Sequence, residues 1–510
     1  MTALFKLTIA SHHFVVSNVA VSTARVITEF SRKFVQFGFV RESGRNIRTA
    51  LKVYAAATDS RSEYRFHINA LRDFREHLDT CNISKLNVEE VVRPTYETDH
   101  VDFIVKPQWV AREDQIPLVD YLVKKGDPKS RLVSLQTGKG KSFVTMLSMS
   151  KICKRTVVIV KPGYMEKWVS DFVKTYEIGP EDVMVVTGGA QLMALLALQE
   201  AGDLTQNLIV ISNKTYQNWL TLYEANGSRI RDMGYACLPD ELFEFLRAGV
   251  RLVDETHQDF HLNFKMDMYT HVPLSISLSA TLITNDAFMQ RMYELMFPMA
   301  DRAPVPPLDK YIRAIGLVYR MKPGRERFVK TSEYGSTSYS HLAFEKSIMK
   351  SESLQDSYFE AIKFSLDATY IKKYVKGDKF IVFAATIELC TRIRDYLKDE
   401  YPSLNIRKYT SGDPMTHLLE SDGVVSTLGS AGTAHDIPGL TTVVQTTSID
   451  SPQANVQSFG RLRKIAGRDV DFVFFSCVDI SKQMQYFERK KHILLDRAAS
   501  FRTVNLPFMV

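Results

Sequence analysis

Two short stretches of this sequence carry residue types that could bind and hydrolyse a nucleoside triphosphate. The first is LQTGKGKSF, residues 135–143, whose predicted phosphate-binding residues are Thr137, Gly138, Lys139, Gly140, Lys141 and Ser142. Its two glycines would let backbone N–H groups approach phosphate oxygens, its second lysine would reach the β- and γ-phosphates, and its serine would help to hold Mg²⁺. Because Leu135 stands where the strict pattern has glycine, the stretch by itself is equally consistent with a simple Gly/Lys turn.

The second stretch is RLVDETHQDF, residues 251–260, in which an apolar run ends in two adjacent carboxylates. Such a run is typical of a buried strand that delivers both side chains to its carboxyl end. Asp254 would bind Mg²⁺ through water, and Glu255 would polarise the water that attacks the γ-phosphate. An isolated Asp-Glu pair is usually a surface feature, but the strand-like run and the lysine loop favour a catalytic pair here.

The elements that must position these residues follow an α/β pattern from about residue 105 onward. Short apolar runs alternate with amphipathic stretches, which predicts buried parallel strands separated by helices. The predicted strands lie within residues 131–135, 155–162, 207–215, 250–257, 273–281, 379–386, 405–412, 422–430, 441–448 and 469–477. Four prolines within residues 298–310 predict a boundary between two such α/β units, and residues 321–340 are predicted to form an exposed loop.

The first hundred residues differ from the rest in pattern and in charge. Residues 5–22 alternate as strands do, and residues 62–80 have the spacing of an amphipathic helix, which predicts a small α+β module. Residues 1–75 contain 12 Lys/Arg against 5 Asp/Glu, so the chain's whole net charge of +7 lies in this segment. A concentrated positive field suits a polyanion such as nucleic acid, with a merely solvated basic face as the alternative.

Length and composition restrict the class of protein. A chain of 510 residues predicts two to four domains, and 45% hydrophobic with 24% charged residues is typical of a soluble globular protein. No apolar run reaches the roughly 18 residues of a membrane-spanning helix, and the start of the chain lacks a secretory pattern. The five cysteines form no CxxC pair, which argues against a zinc site or a disulfide framework and fits a reducing cytoplasm.

Taken in chain order, several stretches resemble the motifs of superfamily 2 helicases. GKGKS at 138–142, DETH at 254–257 and SAT at 279–281 resemble motifs I, II and III. Motifs Ia, Ib, IV, V and VI are similar to residues 157–172, 209–219, 380–386, 425–440 and 457–464, and Arg112 with Gln115 matches the Arg-x-x-Gln element that reads adenine. The resemblance covers about 400 residues, from 105 to the C-terminus, and is greatest to phage branch-migration helicases of the UvsW type.

The resemblance implies an α/β fold with two tandem RecA-like parallel-sheet lobes preceded by a small α+β N-terminal domain. The boundaries it implies are a basic nucleic-acid-binding module at 1–103, lobe 1 at 104–305 with the motifs up to III, and lobe 2 at 306–510 with motifs IV to VI. It also implies that ATP and Mg²⁺ bind in a cleft between the lobes. Closing and opening of that cleft would move nucleic acid.

The roles of the family's residues carry over to the matching positions. Catalytic roles are implied for Lys141, Asp254, Glu255 and Arg461, and Ser142 with Asp254 would hold Mg²⁺. Further nucleotide contacts are implied for Arg112, Gln115, Asp436, Gln457 and Lys464, with Trp109 either a stacking neighbour or a core tryptophan. The resemblance implies that His257, Ser279 and Thr281 couple hydrolysis to movement. Nucleic-acid backbone contacts fall to Lys161, Thr215, Thr386 and Thr410, although threonine at a strand end is ordinary in any sheet.

Three positions depart from the family's pattern. Leu135 replaces a small residue, Ala434 replaces a glycine of motif V, and Lys464 stands where motif VI has its second arginine. An arginine reaches phosphate with a planar, bidentate fork, whereas lysine offers a single point charge. We therefore predict that Arg461 makes the primary γ-phosphate contact, with Arg463 and Lys464 as the open alternatives.

These features predict an ATP-dependent DNA helicase or translocase that acts on branched or duplex DNA in fork remodelling, branch migration, recombination or repair. An RNA helicase is one alternative, which DETH in place of DEAD mildly disfavours. A translocase that moves on duplex without separating its strands is another. A nucleic-acid-binding protein without hydrolytic activity is disfavoured because the residues of the hydrolytic centre are retained.

Overall fold

The computed structural model describes residues 3–42, 45–57, 63–135, 139–279, 282, 284, 286–304, 307–332, 338–431 and 436–510. Apart from short loop pieces, the chain up to Pro306 forms one compact unit and the chain from Pro307 onward forms a second. The first unit contains both the N-terminal module and lobe 1, so a domain division at residue 103 stays a prediction. Within the described part of the chain, no helix combines the length and the apolar composition that crossing a membrane requires.

The N-terminal module is an α+β sheet with a separate hairpin. Its elements are β1 (Phe5–Ile9), β2 (His13–Ser17), α1 (Val21–Ser31), β3 (Val35–Glu42), β4 (Arg45–Val53), β5 (Ala56–Ala57), β6 (Glu63–His67), α2 (Leu71–Thr80) and β7 (Val88–Val92). Five strands form a sheet in the order β5-β6-β2-β1-β7, and β3 pairs with β4 in a two-stranded sheet. The Phe30 ring of α1 lies 5.2 Å from Phe66 and 5.0 Å from Phe74, so aromatic packing holds the helices against the sheet.

The predicted helix over residues 62–80 is only half right. Residues Glu63–His67 form strand β6, Ile68–Ala70 form a 3₁₀ turn, and the α-helix begins at Leu71. The segment EYRFH pairs antiparallel with β2, and four of its five residues are buried. The backbone hydrogen bonds of the β2 ladder therefore outweigh the helical spacing in this half of the segment. Likewise, Val21 and Ser22, which were predicted to be strand, begin helix α1.

Lobe 1 is built on a six-stranded sheet with helices between its strands. Its elements are α3 (Ile116–Val123), β8 (Ser130–Ser134), α4 (Lys141–Ile152), β9 (Thr156–Val160), α5 (Pro162–Thr175), β10 (Val183–Val186), α6 (Gly189–Ala201), β11 (Leu208–Ser212), α7 (Asn213–Asn226), α8 (Leu242–Phe245), β12 (Val250–Val253), α9 (Phe260–Asp267), β13 (Leu274–Ser279) and α10 (Ala287–Met296). The strand order is β10-β11-β9-β12-β13-β8, and every pairing is parallel. The carboxyl ends of all six strands therefore lie at one edge.

Lobe 2 repeats this construction with seven parallel strands. Its elements are β14 (Ile312–Tyr319), α11 (His341–Ile348), α12 (Glu352–Thr369), β15 (Lys379–Ala384), α13 (Ile387–Glu400), β16 (Ile406–Tyr409), α14 (Thr416–Leu419), β17 (Gly423–Thr427), α15 (Leu428–Ala431), β18 (Leu440–Gln445), α16 (Pro452–Phe459), β19 (Val470–Cys477), α17 (Ser481–Leu495) and β20 (Ser500–Asn505). The order is β16-β17-β15-β18-β19-β14-β20. Strands β17, β18 and β19 are almost fully buried, because helices cover both faces of the sheet.

The predicted fold class is confirmed, since both sheets are parallel and an α+β sheet precedes them. All ten strands that we predicted are present, but the sequence pattern did not predict β10, β14 or β20. The described part of the predicted loop at 321–340 contains one short 3₁₀ turn, at Glu326–Phe328.

The N-terminal module and lobe 1 share a buried polar network. Arg251 of β12 donates to the Asp267 carboxylate at the end of α9, and the other oxygen of Asp267 lies 3.2 Å from His67 Nε2 of β6. His13 Nδ1 of β2 lies 3.0 Å from the carbonyl oxygen of Thr270. All five residues are at most 4% exposed. Burial would raise the pKa of Asp267, but Arg251 and His67 hold it below its usual range.

One glycine of lobe 2 gives a test of its packing. Gly439 has φ +82°, and a Cβ added there would lie 2.2 Å from the carbonyl oxygen of Gly377. We expect Gly439→Ala to lower the thermal unfolding midpoint of this unit by several degrees, because it adds both backbone strain and a clash with backbone. Scanning calorimetry measures this shift.

Gly429→Ala is the matched control, since a Cβ at Gly429 would meet no atom within 4 Å and Gly429 lies in helix α15. Equal midpoints for the two variants would contradict the packing described for Gly439.

Candidate active site

Three predicted motifs of lobe 1 follow strands whose carboxyl ends share one edge of the sheet. The lysine loop follows β8, DETH follows β12, and the Ser279 stretch ends β13. Strands β12, β13 and β8 are neighbours in that order, so the side chains that come after them meet at this edge. Parallel pairing therefore brings residues more than a hundred positions apart in sequence into one site.

The lysine loop ends at the N-terminus of α4, which begins at Lys141. Gly140 has φ +81°, a left-handed backbone that favours glycine, and a Cβ added there would displace the side-chain amide of Gln115, whose Nε2 would lie 2.6 Å away. Lys139 and Ser142 are half-buried beside it. Thr137 and Gly138 lie outside the described residues. The start of a helix directs backbone N–H groups outward, which suits an anion.

Leu135, the departure from the family's pattern, lies at the end of β8. It is 2% exposed, and its backbone N–H donates to the carbonyl oxygen of Ser279 at 3.3 Å. Leucine at this position therefore packs in the sheet and extends the pairing of β8 with β13.

Asp254 and Glu255 are held in distinct environments at the end of β12. Asp254 accepts hydrogen bonds from the indole Nε1 of Trp168 at 2.9 Å and from the backbone N–H of Glu255 at 2.8 Å. Burial and the adjacent charge of Glu255 raise the pKa of Asp254. Glu255 has a left-handed backbone, φ +47°, and its Oε1 lies 3.6 Å from Lys141 Nζ.

The two carboxylates could hold a divalent cation, and Lys141 beside them could hold a phosphate-bearing ligand. The Oε2 atom of Glu255 is buried without a hydrogen bond among the described residues, although His257 Nδ1 lies 3.4 Å away. Two adjacent carboxylates, one with its pKa raised by its neighbour, would be stabilised by a bound cation. Asp254 and Ser142 are the side chains at this edge whose oxygens would hold Mg²⁺.

His257 and Ser279 join the ends of β12 and β13. His257 Nδ1 lies 2.9 Å from Ser279 Oγ, and both residues are buried. Burial, assisted by the charge of Lys141, lowers the pKa of His257 to about 4. The imidazole is therefore neutral near pH 7. Thr281, the third predicted coupling residue, lies outside the described residues.

The lowered pKa of His257 predicts a pH dependence of stability. The unfolded state takes up the proton near pH 6.5, whereas the folded state takes it up only near pH 4. The free energy of unfolding should not depend on this group above pH 6.5, and it should fall by about 3 kcal/mol as the pH drops to 4. His257→Asn, which keeps a polar atom near Nδ1, should make the unfolding midpoint of the first unit less sensitive to pH over this range. If calorimetry gave the same fall in unfolding midpoint for the variant and the wild type over this pH range, the pKa of His257 would not be lowered in the folded protein.

The predicted adenine-reading residues lie against the lysine loop. Gln115 is 1% exposed and its Oε1 accepts from the backbone N–H of Arg112 at 3.1 Å, while Arg112 Nε lies 3.1 Å from Asp114. Trp109 is 40% exposed, and its ring lies 5.5 Å from Phe143 of α4. A core position for Trp109 is therefore wrong, and its stacking on a nucleotide base stays a prediction.

The predicted nucleic-acid residues of lobe 1 follow two other strands of the same sheet. Lys161 follows β9 and lies 3.2 Å from Asp259, which also accepts from Asn213 at 2.9 Å. Thr215 is in the first turn of α7 after β11 and is 4% exposed. Their contacts with nucleic acid stay predictions.

The predicted nucleotide-binding residues of lobe 2 differ in how far their side chains are exposed. Arg461 is buried and Gln457 half-buried, both in or directly after α16. Arg463 Nε lies 3.0 Å from the exposed Asp436, and Lys464 Nζ lies 3.7 Å from Asp309. Ala434 lies outside the described residues. The choice among the three motif VI cations stays a prediction.

The two predicted threonines of lobe 2 hold loops together. Thr386 caps α13: its hydroxyl donates to Glu345 Oε2 at 2.9 Å and accepts from the Leu389 N–H. The buried Thr410 donates to Asp413 at 2.9 Å. Both follow carboxyl ends of strands, β15 and β16. Each of the two hydroxyls therefore has a hydrogen-bond partner within the protein.

Sequence reasoning missed three residues that position this chemistry. Trp168 holds Asp254, Asp259 bridges Lys161 and Asn213, and Glu345 accepts from the backbone N–H groups of residues 385 and 386. A signal existed for Trp168, because a tryptophan inside a helix-like stretch needs a partner for its indole N–H when buried. Asp259 and Glu345 give no such local signal.

Comparison with known proteins finds distant similarity to helicases. No family model matches the chain. A curated relative, the XPB helicase/translocase subunit of general transcription and DNA repair factor IIH from Enterocytozoon bieneusi, is 21% identical over 425 residues. The match covers 79% of this chain, which spans 64% of the relative's length.

Two solved structures are also similar to this chain. Helicase Lhr of Mycobacterium smegmatis, bound to ssDNA and AMP-PNP, is 16% identical with a TM-score of 0.47, over 78% of this chain and 49% of that chain. Dbp5 of S. cerevisiae, bound to RNA and ADP BeF3, is 12% identical with a TM-score of 0.49, over 77% of this chain and 89% of that chain. The likeness concerns the fold.

Proposed function

We propose that this chain is an ATP- and Mg²⁺-dependent motor on nucleic acid, specifically a DNA helicase or translocase that acts on branched or duplex DNA. The observation that carries the proposal is the meeting of Lys141, Asp254 and Glu255 at one sheet edge, with Lys141 Nζ 3.6 Å from Glu255 Oε1. A lysine at a helix start beside two carboxylates is the arrangement that phosphate binding and water activation need.

Each side chain of this edge has a distinct task in hydrolysis. Lys141 would exchange its contact with Glu255 for the β- and γ-phosphates, and the N-terminus of α4 would direct N–H groups at the same oxygens. Bound Mg²⁺ would neutralise phosphate charge. Trp168 fixes the orientation of Asp254, and Glu255 would accept a hydrogen bond from the attacking water through its buried Oε2.

The pairing of His257 with Ser279 supports a coupling role. The two side chains connect the acid pair to the end of β13, so a shift of Glu255 on hydrolysis would reach Ser279. A neutral imidazole can switch between donating to a carboxylate and to a hydroxyl without a change of net charge.

One feature supports nucleic acid as the track, and a second supports DNA. The basic excess of residues 1–75 lies in a module that packs on lobe 1, and the XPB relative is a subunit of a DNA repair factor. Contacts made mainly to phosphates should make binding insensitive to base sequence and strongly dependent on salt. The predicted backbone contacts at Lys161, Thr215, Thr386 and Thr410 belong to this proposal.

The deciding experiment measures ATP hydrolysis with Mg²⁺ and equal nucleotide concentrations of single-stranded DNA, blunt duplex, a four-way DNA junction and RNA. The proposal expects DNA to stimulate hydrolysis, with the junction or duplex most effective. Stimulation by RNA alone would establish the RNA helicase alternative. Hydrolysis with duplex stimulation but no strand displacement would establish a duplex translocase, and no hydrolysis with any of them would overturn the proposal.

A further inference from the structure

The β3–β4 hairpin, residues 35–53, exposes an unusual amount of apolar surface. In the described part of the chain it pairs with no other strand. Phe39 is 72% exposed, and Phe37, Val40, Ile47 and Leu51 are between 44% and 51% exposed. A two-stranded ribbon is marginally stable by itself, and contiguous exposed apolar surface is typical of interaction sites.

The base of the hairpin is firmly attached to lobe 1. Tyr54, directly after β4, is 1% exposed, and its ring makes edge contacts with His261 at 4.9 Å and Phe264 at 5.0 Å. Gln36 Nε2 donates to Asp286 at the start of α10 at 2.8 Å. The hairpin is therefore anchored on helices α9 and α10, which follow motif II and the Ser279 stretch in sequence.

The two faces of the hairpin have different chemistry. The cross-strand pairs Phe37–Ala50 and Phe39–Arg48 lie on one face, where the Arg48 guanidinium stands 4.8 Å from the Phe37 ring centroid. The other face carries the pair Val40–Ile47. One face is thus aromatic and cationic, and the other is aliphatic.

An aromatic face with an arginine suits flat, electron-rich rings carried on an anionic chain. Phe37 and Phe39 are two residues apart, which spaces them about 7 Å along the strand, close to every second base of a stacked strand. Residues 35–53 contain four Lys/Arg and one Asp/Glu. Nucleobases stack on aromatic rings and arginine planes, while the surrounding positive charge attracts phosphates.

We propose that the face formed by Phe37, Phe39 and Arg48 is a stacking surface for unpaired nucleobases, at which single-stranded nucleic acid leaving a duplex is held against lobe 1. This inference rests on the proposed function and adds a binding site outside the helicase motifs. Because the hairpin is anchored on α9 and α10, the stacked strand is held at a fixed position relative to the unit that carries the proposed hydrolytic residues.

The test compares full-length wild type with Phe39→Ala, Phe39→Trp and Val40→Ala. Val40→Ala is the matched control, because Val40 is also exposed but belongs to the aliphatic face. Affinity is measured by fluorescence anisotropy for a labelled duplex with a single-stranded arm and for a blunt duplex of equal length. A 2-aminopurine in the arm reports stacking directly by its quenching.

Phe39→Ala should weaken binding of the armed duplex by roughly 5- to 100-fold and relieve the quenching, with the blunt duplex unaffected. Phe39→Trp and Val40→Ala should bind both substrates as the wild type does. Equal affinity of Phe39→Ala and wild type for the armed duplex, or an equal loss on both substrates, would overturn the stacking surface and favour a protein partner for this face. If nucleic acid stimulates ATP hydrolysis by the wild type, the proposed function holds even where the stacking surface fails.

Discussion

Replacing Glu255 by Gln should lower ATP hydrolysis by about 10²- to 10⁴-fold while ATP binding is retained. The amide has nearly the shape of the carboxylate, so the end of β12 should keep its geometry. What is lost is the negative charge that polarises the attacking water. Oε2 of Glu255 is buried and accepts no hydrogen bond from a described residue, and the attacking water would be its partner. Steady-state phosphate release and binding of a fluorescent ATP analogue measure the two effects separately.

Glu166→Gln provides a control of the same chemistry in the same unit. Glu166 is exposed on α5, so its variant should hydrolyse ATP at the wild-type rate. A Glu255→Gln rate within about threefold of wild type would assign the water-activating role to another group and weaken the case for a motor. Loss of ATP binding together with hydrolysis would instead indicate that the Lys141–Glu255 contact holds the loop in shape.

Asp267→Asn should be strongly destabilising, by about 3–5 kcal/mol, because it leaves the buried Arg251 guanidinium without its counter-charge. Asp267 is 0% exposed and Arg251 1% exposed. The same change weakens the contact with His67, so it loosens the N-terminal module from lobe 1. The thermal midpoint of the first unit should fall on the order of 10 °C in scanning calorimetry.

Asp102→Asn is the matched control, since Asp102 is an exposed aspartate of the same unit, 3.2 Å from the exposed His100. Its midpoint should stay close to that of the wild type, because exposed ion pairs contribute little. If both variants unfolded at the same temperature, the Arg251–Asp267 pair would not be the buried support described here. Arg251 lies on β12, three residues before Asp254. Because loss of its counter-charge would disturb this strand, Asp267→Asn should also impair hydrolysis at temperatures below the unfolding midpoint.

Most of the fold could be predicted from local pattern, and the exceptions have physical reasons. Most of the ten predicted strands are runs buried on both faces, which is a strong strand signal, whereas the edge strand β16 is half-buried at Arg407 and Lys408. Strand β20 was missed because it is an exposed edge strand of mixed polarity, recognisable only by its pairing with β14. Strand β14 contains Gly316, a weak strand former, where a Cβ would lie 2.5 Å from Phe487.

For the candidate site, local sequence chemistry indicated which groups are predicted to react. A lysine after glycines and two carboxylates after an apolar run need only their neighbours in sequence to suggest their roles. Parallel pairing then makes their meeting at one edge predictable in outline. The sequence by itself therefore determined which side chains, Lys141, Asp254 and Glu255, are predicted to do the chemistry.

Only the tertiary structure decided what holds those groups and what surrounds them. The indole of Trp168 on Asp254, the approach of Gln115 to Gly140, and the Arg251–Asp267–His67 network join residues from 16 to 200 positions apart. Such contacts depend on which strands become neighbours and which faces are buried, and no local periodicity encodes that. The exposed Phe39 face is of the same kind, because an alternating strand pattern looks the same whether its apolar side is covered or open.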